Sequence, residues 1–138
     1  MRIVVRTGID LLQISRFEAV YLRYGARLLK RIYTLREQGY CEMRMNAYAT
    51  RWAAKEATAK MLGVGLRGLG SGAHAVAWTA IELVHDDLHK PCLVLHDAAR
   101  ERACRLGIDT FDVSVSHDAG LVVVSVVGVG LVSDTSEA

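Results

Sequence analysis

The sequence lacks the short motifs that announce a phosphate cradle most plainly: there is no Walker lysine motif, and no Gly-x-Gly-x-x-Gly follows a strand-like segment. The glycines from Gly63 to Gly72 come after a helical stretch and describe a flexible loop instead. Cysteine is scarce. Cys41, Cys92 and Cys104 are odd in number and far apart, which excludes zinc-type pairing and a disulfide framework. No signal peptide is read ahead of the first strand, so a reduced cytoplasm is the expected compartment. The apolar stretch Gly120 to Gly128 is too short to span a bilayer and is rich in β-branched residues, so it reads as a buried strand. A strong charge excess is missing too, since 17 Lys and Arg against 15 acids leave a net +2. That balance points away from nucleic acid, while local basic clusters remain able to hold a phosphate or an acidic protein surface.

What is present is enough apolar composition, 51% of 138 residues, to bury the core of one domain, so a two-domain enzyme is not expected. Ile3-Val4-Val5 predicts a short strand ending at Thr7-Gly8, with Gly8 supplying a tight turn before Ile9-Asp10, which places Asp10 at a strand exit. Phe17, Val20, Tyr21 and Tyr24 form one helical face over Ile14 to Tyr24, leaving Arg16 and Arg23 outside until Gly25 interrupts. Thr34 followed by Glu37 is a capping box opening a second helix towards Arg44.

Ala47 to Leu62 is the strongest helix: alanine-rich, with Asn46 as cap and Gly63 as stop. Ile81 to Val84 and Cys92 to Leu95 read as a hairpin, after which Asp97 caps a helix through Leu106. Phe111, Val113 and Val115 alternate with polar residues, and His117 to Gly120 reverses the chain into the valine-rich final strand. This order predicts an α+β domain over 1–130, with helices packed on a largely antiparallel sheet, and a mobile tail over 131–138.

The chemistry rests on two distant acids, Asp10 and Glu56, the latter within Arg51-Trp52-Ala53-Ala54-Lys55-Glu56-Ala57. Spacing alone makes Glu56 and Lys60 an ordinary i,i+4 surface pair, and Asp10 an ordinary turn or cap residue. The competing reading makes Glu56 a hard oxygen ligand, with Lys55 and Lys60 neutralising phosphate charge and Arg51 offering a fork on the Lys55 face. Mg2+ suits that reading, because it is shared between carboxylates, phosphate and water. His117 is either a solvated turn residue or a phosphate donor and proton shuttle. Trp52 and Phe17 read as core residues rather than base-stacking ones, and Arg16 and Arg23 as helix-surface charges unless an acidic partner is present. A noncatalytic anion-binding module and a purely structural oligomer remain open alternatives.

Gly8-Ile9-Asp10 followed by Arg16, the Arg51 to Ala57 run followed by Lys60 and Gly63, Lys90-Pro91, and Ser114-Val115-Ser116-His117 occur in one order over residues 3–127. In this the sequence resembles the holo-acyl-carrier-protein synthase family of small 4'-phosphopantetheinyl transferases. The resemblance implies a Mg2+-dependent transfer of 4'-phosphopantetheine from coenzyme A to a serine of an apo-acyl-carrier protein, giving 3',5'-adenosine diphosphate. It implies Asp10 and Glu56 as metal ligands, and Lys60 and His117 around the diphosphate. Arg51 and Lys55 match the basic coenzyme-binding helix, and Arg16, with Arg23 beside it, faces the acidic helix of the carrier. Glu56 or a water held by the cation is the implied base. The family typically forms homotrimers with active sites between neighbouring subunits, and the small fatty-acid carrier is the implied partner, with no membrane or nucleic acid. His89 stands where the family often has glycine in Gly-Lys-Pro.

Overall fold

Residues Arg2–Gln13 form one continuous strand, β1, and do not break at Thr7-Gly8 as the sequence reading expects. The computed structural model describes residues 1–68, 72 and 74–134. Gly8 lies extended inside β1, opposite Val126, because a helix backbone crosses the strand there too closely for any side chain. Asp10 is consequently an interior strand residue on the buried face, and not a turn residue.

The strand leads directly into α1 (Ile14–Tyr24), which ends at Gly25 with φ +60 as its composition predicts. A further short helix, α2 (Ala26–Ile32), follows without having been foreseen; Leu28, Leu29 and Ile32 give it a buried face. Thr34 and Glu37 form the expected capping box on α3 (Leu35–Cys41), which stops three residues short of Arg44. The long helix α4 (Met45–Leu62) begins two residues earlier than expected, with Arg44 as its cap, so that Asn46 lies inside it. Gly63, in the left-handed region, ends it. Arg6 and Arg102 then donate to the carbonyls of Met61 and Leu62, satisfying its C-terminal end.

The hairpin β2 (Ile81–His85) and β3 (Pro91–Leu95) pairs antiparallel, and α5 (Asp97–Leu106) follows. Asp97 is the first residue of α5, with φ +47, and makes no side-chain cap; His96 is the capping position. β4 (Thr110–Asp118) and β5 (Leu121–Val132) complete an antiparallel sheet of order β1-β5-β4. The architecture is the expected α+β one. β5 runs to Val132, past the predicted boundary at 130, while 135–138 and Ser71 lie outside the described residues.

Helix α4 packs across β1 and β5 and is also contacted by α1, α3, α5 and β2. It is therefore wrapped on nearly every side: Ala49, Ala53, Ala54 and Ala57 are fully buried, the small side chains permitting the close approach. The other face of the sheet carries Ile3, Val5, Ile9, Leu11 and Leu131, all exposed.

Candidate functional site

The inward face of the sheet reads in rows across the strands. Asp10 stands opposite Val124, itself opposite Val115, and the next row is Leu12, Val122 and His117. The strand period of two thus aims Asp10 at α4, where the helix period brings Glu56 and Lys60 to one side. Lys60 Nζ lies 3.1 Å from Asp10 Oδ1 and 2.9 Å from the Ile9 carbonyl. The surface pair expected between Lys60 and Glu56 gives way to this cross-element pair with the strand. Glu56 Oε1 accepts from the Trp52 indole at 2.8 Å.

Asp10 Oδ2 is buried and meets no donor, and the Asp10 and Glu56 carboxyls lie within hydrogen-bonding reach of each other, a bond that forms only if one carries a proton. A carboxylate oxygen without a donor is costly in the interior. Burial, followed by the nearby charge of Asp10, raises the pKa of Glu56 above the ordinary carboxylate value. Two carboxylates gathered at a helix and strand crossing, one oxygen orphaned, is an arrangement that a hard cation would complete.

A cleft of about 550 Å³ runs between the start of α4, the hairpin and β4; Arg44, Thr50, Arg51, His85, Lys90 and His117 are among its walls, and Asp10 and Glu56 are not. His117 Nε2 lies 2.8 Å from Thr50 Oγ1, which joins β4 to α4. Arg51 is almost fully buried at the cleft floor, donating to the Ala47 carbonyl at 3.3 Å, with its guanidinium 4.3 Å from the Tyr40 ring centroid and 3.2 Å from His85 Nδ1. Its Nε is buried without a partner. Burial, and then the charge of Arg51, lowers the pKa of His85, so the ring is neutral at pH 7 and accepts from the guanidinium.

Lys55 does not reach this cleft. It is fully enclosed, and its ammonium donates to Glu37 Oε1 at 2.7 Å, to the Trp78 carbonyl at 3.0 Å and to the Ile81 carbonyl, which uses all three donors. Burial lowers its pKa, with Glu37 opposing the shift. The reading of Lys55 as a phosphate contact is corrected on that ground; it fastens α4 to α3 and β2. Arg16 and Arg23 remain exposed on α1, the latter 5.3 Å from the Tyr24 ring centroid.

Sequence reasoning missed Arg44, His85 and Lys90 as cleft residues. For the first a signal existed: Arg44, Ala47 and Arg51 follow the i, i+3, i+7 spacing of one helical face. Lys90 follows His89, whose φ of +62 takes the left-handed turn with an imidazole where the family often has glycine. Asp86 Oδ1 accepts from the Leu88 and Lys90 amides, which holds that turn, and Lys90 Nζ meets Asp112 at 2.6 Å across the cleft.

Residues 6–123 match the family described as ACPS: 4'-phosphopantetheinyl transferase superfamily. A holo-[acyl-carrier-protein] synthase of Herpetosiphon aurantiacus is 47% identical over 124 residues, covering 90% of this chain and 98% of the relative. Among solved structures, the holo-[acyl-carrier-protein] synthase of Neisseria meningitidis is similar with a TM-score of 0.76 at 29% identity, covering 89% of this chain and 96% of that one. The Helicobacter pylori synthase, solved in complex with coenzyme A, has a TM-score of 0.73 at 27% identity and covers 88% and 98%.

Proposed function

This chain belongs to the 4'-phosphopantetheinyl transferase superfamily, and we propose that it acts as a holo-acyl-carrier-protein synthase. It transfers 4'-phosphopantetheine from coenzyme A to a serine of an apo-acyl-carrier protein, leaving 3',5'-adenosine diphosphate. The observation that carries this reading is the Asp10 and Glu56 pair, with its orphaned oxygen, together with a cationic cleft walled by the same helix α4. An anion-binding module would have no use for two carboxylates at its phosphate site. Incubating the protein with coenzyme A, Mg2+ and an apo-carrier, and following the carrier's intact mass, tests it; absence of the phosphopantetheine increment across several competent carriers would refute it.

Asp10 and Glu56 would hold the Mg2+. The fit is supported by Asp10 Oδ2, buried and meeting no donor. Two carboxylates suit a cation that takes one or two of them and completes its shell with phosphate and water. When bound, Mg2+ would screen the diphosphate charge and make the β-phosphoryl group more electrophilic.

The chain's own residues do the rest. Lys60, whose side chain is 57% exposed, is free to turn from Asp10 to the 5'-phosphate of the departing 3',5'-adenosine diphosphate and offset its charge. His117 donates at the mouth of the cleft, and Arg51 at its floor, so the coenzyme's phosphates meet cations along the α4 face. Glu56, or a water held by the cation, would accept the serine proton as the serine oxygen attacks phosphorus and the 3',5'-adenosine diphosphate departs.

Arg16 and Arg23 face outward on α1 and would meet the acidic helix of the carrier, the small fatty-acid carrier being the expected one. The exposed Ile3, Val5, Ile9, Leu11 and Leu131 form an apolar sheet face, which supports assembly into a homotrimer with active sites between subunits. The single transferase domain is taken to run through the end of β5 at Val132. Among the described residues no helix is long and apolar enough to cross a membrane, and the three cysteines are unpaired, which suits a cytoplasmic location.

A further inference from the structure

Glu56 is half-buried on α4, and a glutamate's terminal torsion is intrinsically broad, so its carboxylate can turn. Here it does not turn freely. Trp52, four residues earlier on the same helix, places its indole N–H 2.8 Å from Glu56 Oε1. An indole nitrogen can only donate, so this contact fixes which oxygen is occupied and leaves Oε2 as the one that the indole does not engage.

The indole is itself immobilised. Its ring centroid lies 4.8 Å from that of Trp78 in a tilted contact and 5.9 Å from that of Phe17 in an edge contact. Phe17 and Trp78 are nearly fully buried and belong to the core, Phe17 stacking in turn on Tyr48 at 6.3 Å. An aromatic cluster rooted in the core thus ends, at Trp52, in a polar contact with one of the two carboxylates of the site, while the Trp78 indole donates elsewhere, to the Arg67 carbonyl.

We propose that Trp52 is a positioning residue for the cation site, its indole N–H presetting the Glu56 carboxylate so that the oxygen it leaves open faces the cation shared with Asp10. The inference rests on Asp10 and Glu56 being the metal ligands. It gives Trp52 a role that a phenylalanine of similar packing could not fill. Partners that orient metal ligands in this way typically alter affinity by about 10–100-fold when removed.

The test measures binding of Mn2+, as a paramagnetic substitute for Mg2+, by the electron-spin signal of the free ion, with no coenzyme or carrier present. Parent protein, Trp52→Phe, Trp78→Phe and Glu56→Gln are compared. Mn2+ affinity in Trp52→Phe is expected to fall about 10-fold, with Trp78→Phe within about 2-fold of the parent because it disturbs the same cluster without touching Glu56. Equal affinity in Trp52→Phe and the parent would overturn the proposal, and so would equal losses in Trp52→Phe and Trp78→Phe. Parent and Glu56→Gln binding Mn2+ alike would overturn the ligand assignment itself, a distinguishable failure. Should Trp52→Phe misfold, replacing Trp52 by benzothienylalanine keeps the ring shape and exchanges the N–H for sulfur; a retained Mn2+ affinity there would refute the proposal equally.

Discussion

Gly8 on β1 lies directly beneath the Ala57 carbonyl of α4, so close that a Cβ at Gly8 would come within 1.9 Å of that oxygen and 2.8 Å of the Met61 amide nitrogen. Both neighbours are backbone atoms and cannot swing aside. This contact sets the depth at which the strand meets the helix, and Asp10, two residues along the same face, takes its distance to the helix from it. Gly8→Ala should force β1 outward, costing stability at or above the upper end of the about 1–3 kcal/mol usual for overpacking. Urea unfolding measures the cost, and transfer activity should fall further than the residual folded fraction accounts for. A stable, fully active Gly8→Ala protein would contradict the packing.

Replacing the paired acids separates charge from shape. Asp10→Asn and Glu56→Gln preserve side-chain size, so circular dichroism and oligomer mass should match the parent while carrier modification falls by more than about 100-fold at saturating Mg2+, beyond what removing outer partners of a metal ligand costs. Parental rates across a Mg2+ titration would sink the shared-ligand assignment.

The buried Lys55 and Glu37 pair should respond differently to breaking and to replacement. Lys55→Met leaves the Glu37 carboxylate enclosed without its cation, an event that typically costs about 3–5 kcal/mol. Adding Glu37→Gln should recover part of the loss. Full recovery is not expected, because Glu37 also accepts from the Thr34 and Leu83 amides at 3.0 and 3.2 Å. Denaturant midpoints of the two single variants and the double variant decide it, additive losses ruling the pairing out.

Glu82 supplies the pH dependence. Burial alone would raise its pKa, but bonds from Arg36, Thr34 and His96 outweigh burial and bring it down from 4.5 to about 2. A carboxyl lowered on folding contributes stability above its unfolded pKa and loses it as the pH falls through the folded one. Its contribution should be complete above about pH 5 and fade towards pH 2, amounting to about 2 kcal/mol once screening of the exposed Arg36 is allowed for. Unfolding midpoints of the parent and Glu82→Gln should converge as the pH drops; a gap independent of pH would exclude the mechanism.

Charge reversal at Arg16 probes the carrier surface. Arg16→Glu both removes an attraction and adds a repulsion, so kcat/KM for the carrier should fall about 10-fold or more while the KM for coenzyme A stays near the parental value. Equal weakening towards both substrates would reject this division of labour.

Local chemistry was legible along the chain. The α1 stop at Gly25, the α3 capping box, the α4 stop at Gly63 and the β2 and β3 hairpin all depend on a few neighbouring residues, and each forms as its residues predict. Asp10, Glu56, Lys60 and His117 were nameable as well, from their order and the residues around them. Gly8 was misjudged because a glycine that makes room for a helix 50 residues away looks, in the sequence, like a glycine that makes a turn.

The tertiary structure alone decided which charges are available. Arg51 and Lys55 share an i,i+4 face with the same nominal chemistry, yet Arg51 floors the cleft while Lys55 is consumed by Glu37 and two carbonyls. Nothing in the spacing of α4 separates them, because the difference comes from α3 and β2 closing over one side of the helix. Likewise Lys60 turns to Asp10 on β1 rather than to Glu56 on its own helix. Helix period and capping are written in local sequence, whereas burial and the choice of an ion partner depend on elements far along the chain, and these exist as neighbours only once the sheet and α4 have packed.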